Sequence, residues 1–182
     1  MIKRLYFFFL RKFKYYYYLH KIGVHFGNDC RISKAVSWDT EPYLISIGNH
    51  VHISGGVVFN THEGAHWVLK GIDKSKYDKT FAYGRITIGD NVFIGLGTTI
   101  LHGVEIGPNV IVGANTLVNK SLQMGGVYAG VPVKYICSVE EFADKFLKQM
   151  PEYNYDDYKK NKKAAVLSLV EKFPTAKFLS TN

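Results

Sequence analysis

Aliphatic residues return at a fixed interval of six through the middle of this chain, and a second set follows each of them by four residues. An amphipathic helix needs a period near 3.6 and a plain strand needs a period of 2, so this spacing excludes both as the main element. The first set is Ile88, Ile94, Ile100, Ile106, Val112 and Val118, and the second is Val92, Thr98, Val104, Val110, Thr116 and Leu122.

A strict interval of six is typical of a parallel β-helix built from hexapeptides. Each unit supplies one short strand and one corner, three units complete a triangular coil, and residues eighteen apart stack in parallel strands. Glycine follows the aliphatic residue in IGDN, IGLG, IGPN and VGAN, where a side chain would crowd a corner. We therefore predict an all-β core in the form of a three-sided parallel coil.

The same phase appears earlier in the chain, with two interruptions. It includes Ile47, Ile53 and Phe59, and more loosely Phe26, Ile32 and Trp38. The stretch WDTEPYLIS then carries a small insertion, and residues 60–85 form a long loop that protrudes from the coil. Long excursions from a rigid scaffold often carry binding and catalytic groups.

The coil is predicted to span residues 22–137, between a basic aromatic helix over 1–21 and a helical extension over 138–182. In SVEEFADKFLKQM, Ser138 and Glu141 have the spacing of a capping box that opens a helix. Phe142, Phe146 and Met150 would share one side of that helix. A second helix is predicted over KKAAVLSLVEKF.

Charge points to anionic partners, because 23 Lys and Arg against 15 Asp and Glu give a net charge of +8. Residues 1–21 carry six Lys or Arg and no acid, and their apolar run, Leu5 to Leu10, is too short to cross a bilayer. Two interpretations remain open for this segment: it packs on the open end of the coil, or it contacts an anionic membrane face. No nucleic-acid partner is predicted.

Two distant cysteines, Cys30 and Cys137, do not make a disulfide framework. A reducing, cytoplasmic location is therefore predicted, with the inner face of the membrane as a further possibility through residues 1–21.

The chain resembles the hexapeptide-repeat acyltransferases, which are left-handed β-helix enzymes. VFIGLGTTILHGVEIGPNVIVGANTLVNKSL and the closing VYAGVPVKYI are similar to the last coils of the sugar O-acetyltransferase branch. EPYLISIGNHVHISGGVVFNTHEGAHWVL most resembles the acyltransferases associated with capsule or lipopolysaccharide assembly. The resemblance implies a left-handed coil, a homotrimer with active sites between subunits, and acetyl-CoA as co-substrate.

The resemblance also implies that His62, just past the last strand before the loop, is the catalytic general base. A neutral imidazole can accept a proton from a sugar hydroxyl as that oxygen attacks a thioester carbonyl. Glu63 stands where capsule-linked relatives often have an aspartate, which would change how the imidazole is oriented. His66 is a second candidate base.

For acetyl-CoA, the resemblance implies a groove along the last coils. Leu96 and Ala114 match positions beside the pantetheine arm, and Phe93 matches an aromatic residue that packs near it. Positions near the nucleotide are matched by Asn119, Lys120 and Lys134, where a threonine is more usual than Asn119. The two lysines could pair with phosphates.

Four residues are candidates for acceptor binding: Asp39, Glu41, Glu63 and Trp67. Asp39 and Glu41 lie in the small insertion and are predicted to face the His62 loop of a neighbouring subunit. Trp67 would either stack on a sugar ring or anchor the loop to the prism.

Several other functions remain open. An N-acetyltransferase that acts on an amino nucleotide sugar would use nearly the same base chemistry. A non-catalytic trimeric scaffold at the membrane would not bind acetyl-CoA. A carbonic anhydrase of the β-helix type would need three zinc ligands, for which His62, His66 and His102 are candidates. Antibiotic acetylation is a further alternative.

Overall fold

The structure is a computed structural model that describes residues 2–149 and 154–172. It contains two compact units, one up to Cys137 and the other from Ser138 onward. The strands are β1 (His25–Phe26), β2 (Arg31–Ile32), β3 (Ile45–Ile47), β4 (His52–Ile53), β5 (Val58–Phe59), β6 (His62–Glu63), β7 (Ala82–Tyr83), β8 (Ile86–Ile88), β9 (Val92–Ile94), β10 (Thr99–Ile100), β11 (Glu105–Ile106), β12 (Val110–Val112), β13 (Leu117–Val118), β14 (Gly126–Ala129) and β15 (Lys134–Ser138). The helices are α1 (Ile2–Phe13), α2 (Tyr15–Ile22), α3 (His66–Ile72), α4 (Lys74–Tyr77), α5 (Val139–Gln149), α6 (Tyr155–Lys160) and α7 (Lys162–Lys172), with a short 3₁₀ helix at Pro42–Leu44.

Three sheets form the three faces of the coil, in the orders β1-β3-β8-β11, β15-β14-β12-β9-β4-β2 and β13-β10-β5. Between β1 and β14 the pairs in these sheets are parallel, and Val92 lies beside Val110 while Thr99 lies beside Leu117. These partners are eighteen residues apart, which confirms the predicted stacking of one complete coil on the next. The structure is therefore a three-sided parallel β-helix with helical segments outside the coil.

The core of the coil consists of the residues that the spacing predicts to point inward. Every member of both predicted sets is buried, including the two threonines. Thr98 and Thr116 satisfy their hydroxyl groups by donating to the Gly113 carbonyl, at 3.0 and 2.8 Å. The corners are tight, since a Cβ added to Gly95 would lie 2.5 Å from the Ala114 nitrogen. This confirms the predicted reason for glycine there.

The N-terminal segment forms two helices where a single helix was predicted, with the break at Lys14. Tyr15 and Leu19 of α2 are buried in the same core as the first coil. Tyr15 donates a hydrogen bond to the Ser33 carbonyl at 2.7 Å, and Tyr16 donates to the Cys30 carbonyl at 2.8 Å. The packing interpretation therefore holds for α2, whereas much of α1 stays exposed.

The unit from Ser138 onward contains α5, α6 and α7 within its described part. The predicted capping box is present: the Ser138 amide donates to Glu141, and the Glu141 amide donates to the Ser138 hydroxyl, both at 3.0 Å. The second predicted helix corresponds to α7, and α6 was not predicted. Met150 and Phe173, which end the two predicted helical stretches, lie outside the described residues.

Among residues 2–149 and 154–172, no helix combines the length and the apolar composition required to cross a bilayer.

Candidate active site

His62 lies at the base of the loop that leaves the coil. It follows β5 after two residues and belongs to β6, which pairs antiparallel with β7 so that His62 is opposite Tyr83. The two rings are 5.9 Å apart between centroids. Beyond this hairpin the loop contains α3 and α4, and the coil resumes at Ile86, which pairs with Ile45. The hairpin therefore fixes His62 at a corner of the coil.

Two carboxylates contact the His62 ring on one side. The His62 Nδ1 atom is 3.0 Å from Oε2 of Glu41 and 3.3 Å from Oδ2 of Asp39. The imidazole is about one-third exposed, and both carboxylates are mostly buried. Because a carboxylate can only accept, this contact places the proton on Nδ1 and leaves the lone pair on Nε2. The ring is thereby held in the tautomer that a general base requires.

Two threonines hold these carboxylates in place. The Thr61 amide donates to Asp39 at 2.9 Å, and the Thr61 hydroxyl lies 2.7 Å from Glu41 and 3.1 Å from Asp39. Thr40 donates through its hydroxyl to Glu41 at 2.6 Å and through its amide to Asp39 at 2.9 Å. Hydrogen bonds from Thr40 and then Thr61, together with the His62 imidazole, lower the pKa of Glu41 from its ordinary value of 4.5. Glu41 is therefore a fixed anion at neutral pH.

The lowered pKa of Glu41 predicts a pH-dependent contribution to stability. The ionised carboxylate is favoured by folding, so its stabilisation is fully present above about pH 4.5 and is lost as the pH falls through the folded-state value. Urea unfolding of wild type and Glu41→Gln should show a difference in free energy that shrinks on acidification. Glu105→Gln, which removes an exposed carboxylate from β11, is the control. A difference that does not change with pH would contradict the prediction.

Asp39 and Glu41 contact the His62 of their own chain, where the sequence analysis expected the loop of a neighbouring subunit. The reason is the stacking of coils: Ser37 bridges to Val58, so the residues after Trp38 lie directly beneath those after Phe59. Sequence analysis missed Thr40, Thr61 and Tyr83. Thr40 and Thr61 are separated by the same number of residues as Trp38 and Phe59, which share the inward phase of the coil. This equal sequence separation could have predicted that the two threonines lie close together.

The remaining candidates in the loop are not in contact with the His62 imidazole. Glu63 is exposed and accepts a hydrogen bond from the Ala65 amide at 2.8 Å. His66 packs its ring 4.8 Å from that of Phe81. Trp67 is 78% exposed, so it does not anchor the loop to the prism of its own chain.

The six positions matched to acetyl-CoA are all exposed on the outside of the coil: Phe93, Leu96, Ala114, Asn119, Lys120 and Lys134. Leu96 and Ala114 are on successive coils, and the Asn115 amide donates to the Leu96 carbonyl at 2.7 Å. This corner joins the six-stranded face to the three-stranded face, whereas His62 lies where the three-stranded face ends. Leu96 and Ala114 therefore lie at a different corner from the His62 of their own chain, whereas Asn119 and Lys120, which follow β13, lie at the corner where His62 also lies.

Asp39, Glu41 and His62 also have ligand atoms within 4.8 Å of one another, close enough for a metal ion. However, the two carboxylates already accept from Thr40, Thr61 and the imidazole, which fits a hydrogen-bonded group better than a metal site. Within the described residues, neither His66 nor His102 joins such a group.

Comparisons with known proteins agree with the fold. Residues 85–120 match the family model described as bacterial transferase hexapeptide (six repeats). Protein CapG of Staphylococcus aureus is 44% identical over 146 residues, which are 78% of this chain and 83% of CapG.

Three solved structures of two proteins share the fold. A hexapeptide-repeat-containing acetyltransferase from Vibrio cholerae has a TM-score of 0.54 at 23% identity, covering 69% of this chain and 80% of that one. The same protein complexed with acetyl coenzyme A gives a TM-score of 0.51 at 22% identity, covering 69% and 76%. A maltose O-acetyltransferase from Clostridium difficile 630 gives 0.53 at 23% identity, covering 69% and 75%. The stacked hexapeptides, the match to the family model and the extended identity to CapG together establish that this chain belongs to the hexapeptide-repeat acyltransferases, whose coils are left-handed.

Proposed function

We propose that this protein is an acetyl-CoA-dependent O-acetyltransferase that modifies a hydroxyl of a sugar or surface-polysaccharide precursor in the cytoplasm. The observation that carries the proposal is the 3.0 Å contact between His62 Nδ1 and Glu41. This contact leaves Nε2 of His62 free to act as the base, and the imidazole ring remains partly exposed at the base of the loop. Family membership supports acyl transfer, and the Vibrio cholerae complex supports acetyl-CoA as the donor.

In the proposed reaction, Nε2 of His62 accepts the proton of the acceptor hydroxyl while the hydroxyl oxygen attacks the thioester carbonyl. The tetrahedral intermediate collapses by breaking the carbon–sulfur bond, and the imidazolium returns the proton to the CoA thiolate. The acetyl ester and free CoA are the products, so atoms and charge balance. Glu41 and Asp39 stabilise the imidazolium that exists between the two proton transfers.

The co-substrate is proposed to lie along the corner formed by Leu96 and Ala114, with Phe93 beside the pantetheine arm. Lys120 and Lys134 would then pair with phosphates, next to Asn119. Because the Leu96 and Ala114 corner is not the His62 corner of the same chain, a site that combines these two residues with a His62 imidazole needs a second copy. A homotrimer, which places one corner of each chain against a different corner of the next, meets this requirement.

Acceptor binding is proposed on the loop side of His62. Trp67 and Tyr83 expose aromatic faces on which a sugar ring can stack. Glu63 is also proposed to contact the acceptor, since its carboxylate is exposed beside the hairpin. The maltose O-acetyltransferase that shares this fold supports a sugar as the acceptor class.

The test is thiol release from acetyl-CoA by the full chain across a panel of glycans, nucleotide sugars and amino nucleotide sugars. Release that depends on a hydroxyl acceptor, with an acetyl ester in the product by mass spectrometry, is the expected result. Amide products alone would replace the proposal with N-acetylation. Failure to bind acetyl-CoA in calorimetry would favour the non-catalytic scaffold.

A further inference from the structure

The exposed side of α1 combines apolar side chains with unpaired positive charge. Leu5, Phe9 and Phe13 follow one another at intervals of four, so they lie in one stripe along the helix, and Phe8 lies next to that stripe. All four side chains are between 50% and 70% exposed. We call these four residues the α1 apolar stripe.

Cations surround the α1 apolar stripe, and no acid balances them. Arg4, Arg11 and Lys12 of α1 are exposed, and the first acidic residue of the chain is Asp29. Within residues 2–149 and 154–172, the one Lys or Arg that pairs with a carboxylate is Lys70, far from this helix in the sequence. The helix therefore presents hydrocarbon and net positive charge together.

The rest of the N-terminal segment fixes α1 on the coil. Leu10 turns inward and is buried, on the side opposite to Phe8 and Lys12. Arg11 donates to the Lys34 carbonyl at 3.0 Å, and Lys34 donates to the Lys12 carbonyl at 2.7 Å. These bonds connect the end of α1 to the first coil, so the stripe faces outward from a rigid support.

We propose that the α1 apolar stripe docks this protein on the surface of an anionic lipid bilayer. Phenylalanine and leucine side chains gain free energy by entering the interface, and the flanking Arg and Lys pair with anionic head groups. A second copy of the same face would bring like charges together, which disfavours self-association through it. A soluble polyanion would neutralise the cations but would leave the four apolar side chains in water. The proposal concerns a surface separate from the His62 site.

The test is flotation of the full chain with vesicles of phosphatidylcholine alone or mixed with phosphatidylglycerol. Wild type should float with the mixed vesicles. Leu5→Ser/Phe9→Ser and Arg4→Glu/Lys12→Glu should each reduce partitioning about tenfold or more. Leu147→Ser/Lys148→Glu in α5 is the matched control, because it changes an equally exposed apolar residue and a cation elsewhere, and it should float like wild type.

Three outcomes would overturn the proposal. Wild type could fail to float with either vesicle. The Leu5→Ser/Phe9→Ser variant could float as well as wild type, which would show simple adsorption of a cation to a polyanion. The variants could instead change the molar mass in light scattering without changing flotation, which would make the stripe an interface between copies. The circular dichroism and melting temperature of each variant confirm that α2 remains packed.

Discussion

Replacing His62 with alanine is expected to lower kcat by about 10²–10⁴-fold, which is the contribution of a positioned general base. The fold should not change, because His62 lies at the base of the loop and the buried sets of the coil do not include it. The measurement is steady-state thiol release from acetyl-CoA with the acceptor identified from the panel. Melting temperature and molar mass of the variant establish that it remains folded and assembled.

His66→Ala is the matched control, since it removes an imidazole four residues further along the same loop. Its ring packs on Phe81 and has no carboxylate partner within the described residues, so kcat should fall far less than in His62→Ala. If His62→Ala turned over at the wild-type rate while His66→Ala did not, the base would be His66. The proposed role of the Glu41 contact would then be wrong.

The second large effect is expected for Glu41→Gln, with kcat lower by about 10²-fold. A glutamine amide can donate to Nδ1 and so favour the tautomer whose Nε2 carries the proton, which cannot act as a base. It also removes the negative charge that stabilises the imidazolium. KM for acetyl-CoA should change little, because the Glu41 carboxylate hydrogen-bonds with Thr40, Thr61 and His62 and is not one of the six positions matched to acetyl-CoA.

Glu63→Gln provides the comparison, because Glu63 is adjacent to His62 in the sequence but bonds the Ala65 amide instead of the imidazole. A positioning role for Glu41 predicts that the pH dependence of kcat changes in Glu41→Gln and stays as in wild type in Glu63→Gln. Equal shifts in the pH dependence of kcat in the two variants would show that Glu41 has no special relation to the ring.

The fold was predictable because one physical requirement repeats. Between Ile88 and Leu122 each inward position of the coil is filled by an aliphatic or threonine side chain, so Ile94, Val112 and their equivalents record the path of the chain directly. The break between α1 and α2 at Lys14 and the helix α6 are not part of this repeat. Such single events depend on local packing that no spacing reveals.

The candidate site was predictable only in part for a related reason. His62 was identified through a family motif, and Asp39 and Glu41 through their place in the insertion. Their mutual contact depends on the turn after Trp38, where Asp39 adopts a left-handed backbone conformation with φ of 57°. The contact also depends on the hydrogen bonds of Thr40 and Thr61 to the two carboxylates, and the hexapeptide interval specifies none of these.

The hairpin of β6 and β7 separates the coil from the outer part of the loop, and these two parts have different structural roles. On the coil side of the hairpin, neighbouring coils hold the His62 imidazole and the carboxylates of Asp39 and Glu41. On the loop side, α3 and α4 contribute no residue to the buried core. The upper part can therefore change in length without altering the contacts among His62, Asp39 and Glu41. In the proposed enzyme, this arrangement would let the loop adapt to a different acceptor while the base keeps its position.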